Sequence, residues 1–179
     1  LQTDSLPVLK KELLSRSQSE LVHICLGLAK LKTENKQMLA YLLFDADNPM
    51  SYAGQVKSKM DEILDQVPRN QYGGTKMLRK ALQFVTQYNR FTKFKEGEVE
   101  LLLHFLSRYL EIVSPETRHP PLLGLAFRSL RKVHSLIFKL HEDLQYDYSQ
   151  AYNQKVQSVH ATFHHWDRYR FPLQSIEIA

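Results

Sequence analysis

The sequence predicts an all-α protein of about eight antiparallel helices, arranged as a helical bundle or as an irregular HEAT-like α-solenoid. Three observations lead there. Apolar residues recur every three or four positions along nearly the whole chain. No stretch alternates apolar and polar residues over the length of a strand. Proline is sparse, 7 in 179 residues, and falls at the edges of the periodic segments.

Element by element, the first helix covers Pro7 to Leu14, with Ser5 as N-cap and Leu6, Leu9 and Leu13 as its stripe. Ser17-Gln18-Ser19-Glu20 reads as a capping box, in which Ser17 accepts from the Glu20 amide and Glu20 reaches back. The helix it opens places Leu21, Ile24, Cys25 and Leu28 inward. A third helix, starting at Thr33 or Asn35, carries Met38, Leu39, Leu42 and Leu43. Asn48-Pro49 reads as a break, after which Ser51 caps a fourth helix with Val56, Met60, Ile63 and Leu64 inward.

Pro68 and Gly73-Gly74 make the clearest loop signal. The chain is thus expected to form a single domain over 1–179, with lobes at 1–68 and 75–171. The fifth helix runs from about Thr75 to Phe91 on Leu78, Leu82, Val85 and Tyr88. The sixth, from about Gly97 to Val113, is apolar on two faces, as expected of a central helix. The seventh runs from about Leu122 to Leu144. A turn over Gln145 to Ser149 leads to the eighth, which aligns Tyr152, Val156, Val159, Phe163 and Trp166 and ends at Phe171-Pro172. No residue pattern repeats at a fixed period.

Totals bound the function. A chain of this size hides roughly 70% of its unfolded surface without a disulfide or metal. The formal net charge of +5 is mildly basic and permits an acidic partner. A lone cysteine, Cys25, fits a reducing compartment and reads as a core thiol, not a nucleophile. No stretch reaches the ~20 apolar residues that span a bilayer. No signal peptide is legible. A cytoplasmic location without membrane association is therefore expected.

Leu9-Lys10-Lys11-Glu12-Leu13, Ser17 to Leu28 and Asn35-Lys36-Gln37-Met38-Leu39 together resemble the opening of a group of uncharacterised bacterial all-helical proteins. The likeness covers the first quarter of the chain and consists of caps and leucines, so it implies a helical fold and no activity. The first two helices share a Leu-Lys-x-x-Leu step with SAP-type DNA-binding motifs. The loop at Ser15 to Ser17 is too short for that motif, and its glycine-lysine step is missing, so no DNA function carries over.

Two constellations merit weighing. His160 and His164 are one helical turn apart, with Asp167 three residues further on. A hairpin turning near Asp147 would bring His134 level with His160. His134, His160, His164 and Asp167 could then offer nitrogen and oxygen ligands to Zn²⁺ or another divalent ion and activate a water for hydrolysis. Against that, histidines beside an apolar stripe commonly pack there with one polar tip. Separately, Arg90, Lys93 and Lys95 mix with Tyr88, Phe91 and Phe94 at one helix end, and Arg168 and Arg170 with Tyr169 and Phe171 at another. Aromatics could stack on bases while the cations meet phosphates. Cations at a helix C-terminus also simply offset the macrodipole.

Other signatures fail. Glu20-x-x-His23 has no second copy, as a carboxylate-bridged di-metal bundle needs. His141-Glu142 lacks the second histidine of a zincin, and Gly73-Gly74-Thr75-Lys76 has the wrong order for a phosphate loop. No catalytic residue is assigned and no cofactor is required. The sequence points to a non-catalytic helical module that binds a protein partner. A nucleic-acid binder using the basic-aromatic helix ends and a metal-dependent hydrolase at the histidines stand as alternatives.

Overall fold

The computed structural model describes residues 3–68, 71–163 and 172–177. Among them are eight α-helices and no strand. They are α1 (Leu6–Leu14), α2 (Gln18–Leu31), α3 (Thr33–Phe44), α4 (Pro49–Leu64), α5 (Gln71–Thr92), α6 (Lys95–Ile112), α7 (Pro120–Ile137) and α8 (Glu142–Thr162). No described helix is long and apolar enough to cross a membrane. The chain forms two compact units, Leu1–Asp47 and Asn48–Ala179. This division precedes α4, whose inner face of Ala53, Val56, Met60 and Leu64 is covered by α5 and α6.

Local chemistry sets most boundaries. The capping box at Ser17 forms: its hydroxyl accepts from the Glu20 amide at 3.3 Å, and Glu20 accepts from the Ser17 amide at 2.8 Å. Asn48-Pro49 opens α4 instead of interrupting the chain. Asn48 is the N-cap and its side chain accepts from the Ser51 amide at 2.9 Å, while Pro49 occupies a position whose missing N–H costs nothing. Gly73-Gly74 lies inside the start of α5, not in a loop. A Cβ on Gly74 would stand 3.2 Å from the Pro68 carbonyl, so this glycine marks a close approach of backbone.

The second unit is built around α6, which packs on α4, α5, α7 and α8. Both of its apolar faces are consumed: Leu101, Phe105, Leu106 and Tyr109 are fully buried, and Leu102 nearly so. Leu130 and Phe163 are buried in the same core. Polar pins cross it. The Tyr109 hydroxyl donates to the Leu122 carbonyl at 3.0 Å. Tyr88 donates to the Pro49 carbonyl at 3.0 Å and stacks on Tyr52. Lys132 of α7 pairs with the buried Glu98 of α6. After the eighth helix, residues 172–177 run along it, where Asn153 exchanges two hydrogen bonds with the Ile176 backbone at 2.8 and 2.9 Å.

The break between α7 and α8 falls earlier than its apolar pattern implies. Helix α7 ends at Ile137, where the Lys139 and Leu140 amides bond back only three residues and tighten the last turn. His141 then caps α8, with Glu142 and Asp143 in the first turn where the helix dipole favours carboxylates. Leu140 and Leu144 stand at helical spacing from both helices, so the apolar stripe runs through the turn unbroken.

Candidate interaction surfaces

Among the described residues of the first unit only Tyr41 is buried. Of sixteen large apolar side chains exposed in the described chain, thirteen belong to α1, α2 and α3. Helix α2 shows why. At 100° per residue, Val22 and Leu26 lie on one side and Ile24, Leu28 and Leu31 on the opposite side. Helix α3 packs against α2, yet all five side chains stay between 38% and 72% exposed. One neighbour cannot cover two opposed faces. Cys25, expected in a core, is likewise exposed.

Helices α1 and α2 flank a groove of about 770 Å³ floored by Leu9, Leu13, Ile24 and Leu28. Its rim carries Glu12, Arg16, Glu20 and His23. Arg16 bridges the rim, 3.9 Å from Glu12 and 3.5 Å from Glu20. The Ser17 backbone and hydroxyl, then Arg16, hold the Glu20 carboxyl below its ordinary pKa. Six cations and six carboxylates leave this unit with no formal charge.

The second unit carries a half-buried polar network between α4, α6 and α8. Lys57 meets Glu100 at 2.7 Å, and Tyr148 donates to Glu100 at 2.9 Å and to Glu96 at 3.3 Å. Asp61 accepts from His104 at 2.9 Å and forms an ion pair with Arg108 at 3.3 Å, and Arg108 also reaches Asp65 and Glu111. Burial works to raise the Glu100 pKa, but the hydrogen bonds from Lys57 and Tyr148 outweigh it and the net shift is downward. Burial, then the hydrogen bond to Glu100, drives the Tyr148 phenol upward. Each partner named here is another side chain of the network, which ties the helices together.

The histidines proposed as metal ligands are placed differently from the register expected of a turn near Asp147. With the turn at Phe138–His141, the His134 ring packs edge-on against Phe138 and against Tyr152, at centroid distances of 5.2 and 5.6 Å. Tyr152 precedes His160 by eight residues, about 12 Å of helix rise. His160 is half-buried near the end of α8. His164 and Asp167 lie outside the described residues, and among those described no three His, Cys, Asp or Glu side chains gather as for a metal ion.

Of the cations proposed to meet nucleic acid, Arg90, Lys93 and Lys95 are all exposed around the junction of α5 and α6. Lys93 adopts the left-handed region at φ 53°, which turns the chain between the helices. The aromatics beside them are not free to stack on bases: Tyr88 and Phe91 are buried and Phe94 is half-buried. Arg168 and Arg170 lie outside the described residues. Comparison with known proteins adds nothing to these surfaces: no family model, curated protein or solved structure matches the chain.

Proposed function

We propose that the protein is a non-catalytic helical interaction module whose first unit docks on protein, and that a second copy of the same unit is the occupant its surface fits best. The observation that carries this reading is the pair of opposed apolar faces on α2. Thirteen large apolar side chains stand exposed on α1 to α3, including both faces of α2, whereas apolar residues exposed singly would need no explanation. The absence of net charge on the unit removes the repulsion that two identical surfaces usually meet, and homodimer interfaces are more apolar than the rest of a protein surface.

Sedimentation across about a hundredfold range of concentration tests it, because self-association follows mass action. The wild type is expected to sediment as a dimer or larger. Leu28→Lys and Leu26→Lys probe the two faces, and at least one should return a monomer of unchanged helix content. Both positions are exposed and lysine is a good helix former, so the fold tolerates either change. A wild type that stays monomeric throughout, or association that survives both substitutions, overturns the proposal.

A further inference from the structure

The 30 residues between Asp65 and Glu96 contain no carboxylate and seven cations, Arg69, Lys76, Arg79, Lys80, Arg90, Lys93 and Lys95. That local charge exceeds the +5 of the entire chain. Helix α5 occupies most of the interval. Its positions 76, 79, 80 and 83 follow the i, i+3, i+4, i+7 rule, so Lys76, Arg79, Lys80 and Gln83 share one side. Arg90 continues the same strip, about 21 Å from Lys76 along the axis. The other side of the helix is committed: Leu78, Ala81, Val85 and Tyr88 are at most 2% exposed. The basic strip therefore cannot turn inward.

It borders a cleft of about 850 Å³, walled by Lys76, Arg79, Lys80 and Gln83 from α5 and by His119 and Pro121 at the start of α7. Among the described residues no carboxylate lines it. Elsewhere in this unit the cations Lys57, Arg108 and Lys132 are paired with Glu100, Asp61 and Glu98. Lys76, Arg79 and Lys80 have no ion pair among the described residues. Three uncompensated cations within two helical turns, facing one open cleft, concentrate a positive field where a polyanion can enter.

We infer that this face binds the phosphodiester backbone of nucleic acid, without reading bases. Two features select that anion. Among the described side chains of α5 no large apolar one is exposed, so they offer a bilayer nothing to insert. Of the aromatics described nearby, Tyr88 and Phe91 are buried and Phe94 is half-buried, which favours contact with phosphates over stacking on bases. The face lies wholly in the second unit and is independent of the docking proposed for the first.

Fluorescence anisotropy with a labelled single-stranded oligonucleotide of mixed sequence tests the inference. Binding is expected at about 50 mM salt. With four phosphates neutralised, the slope of log K against log salt is about −3, so affinity falls about 50-fold on going to about 200 mM. The triple variant Lys76→Gln, Arg79→Gln, Lys80→Gln should lose at least about tenfold and flatten the slope by about 2. The control Arg128→Gln, Arg131→Gln, Lys139→Gln removes equal charge from exposed positions on and after α7 and should change affinity less than about twofold. An oligonucleotide of scrambled sequence should bind equally. The inference is overturned by absence of binding at low salt, by an equal loss in the control, by a strong sequence preference, or by binding to phosphatidylserine vesicles without binding to the oligonucleotide. Should the triple variant lose helix content, Arg79→Glu alone takes its place, with the same direction expected.

Discussion

Replacing Gly97 by alanine should destabilise the protein even though it improves the intrinsic helix propensity of α6. A Cβ at this position would stand 1.9 Å from the Tyr88 hydroxyl oxygen and 2.6 Å from its Cζ. Neither is a tolerable contact, and Tyr88 has little room to yield: it is fully buried, stacked on Tyr52 at 5.8 Å and hydrogen-bonded to the Pro49 carbonyl. Forcing a methyl into such a core costs about 1–3 kcal/mol. Displacing the phenol also loses a hydrogen bond worth about 1 kcal/mol. Exchanging glycine for alanine in a helix returns at most about 1 kcal/mol. The net expectation is a loss of about 1–3 kcal/mol. At about 2–4 °C per kcal/mol, that lowers the main thermal transition by roughly 2–12 °C in circular dichroism. Tyr88→Phe removes the atom in closest conflict, so the double variant should be less destabilised than the two single changes summed, by about 1 kcal/mol. A Gly97→Ala protein as stable as wild type, or a cycle that is strictly additive, would refute the reasoning.

Two further outcomes follow from local geometry. Lys93 adopts a left-handed conformation at φ 53°, so Lys93→Gly should raise stability by about 0.5–1 kcal/mol in urea unfolding, and a loss of stability would contradict that. The second concerns acid. Because the Glu100 pKa is depressed in the folded state, the unfolded chain binds the extra proton first. The stability it contributes is complete above the ordinary carboxylate pKa of 4.5 and is lost as pH falls through the lower folded value. The urea midpoint should therefore drop less steeply with acidification in Glu100→Gln than in wild type, and identical slopes would show that the network does not act this way.

Much of the fold is legible in the residues. The capping box at Ser17 and the two-faced apolar pattern of α6 each state a local preference that the tertiary structure leaves intact. Where the reading failed, two signals competed at one place. Asn48-Pro49 serves equally as a break and as a cap followed by a first-turn proline. Leu140 and Leu144 continue the stripe of α7 and begin that of α8, which displaced the expected turn and with it the register of His134 and His160. The basic face of α5 was visible as an interval without carboxylates, a signal hidden when cations are tallied over the whole chain.

Spacing and capping by themselves determined that this protein is helical, where most helices begin, and which side of each is apolar. They did not determine which apolar sides are covered. The stripe on Leu102 and Leu106 is enclosed by four helices, whereas the equally regular stripe on Ile24, Leu28 and Leu31 remains in contact with solvent. Periodicity is a property of one segment and reports that a face exists. Burial depends on which segments meet, and only the tertiary structure decides that.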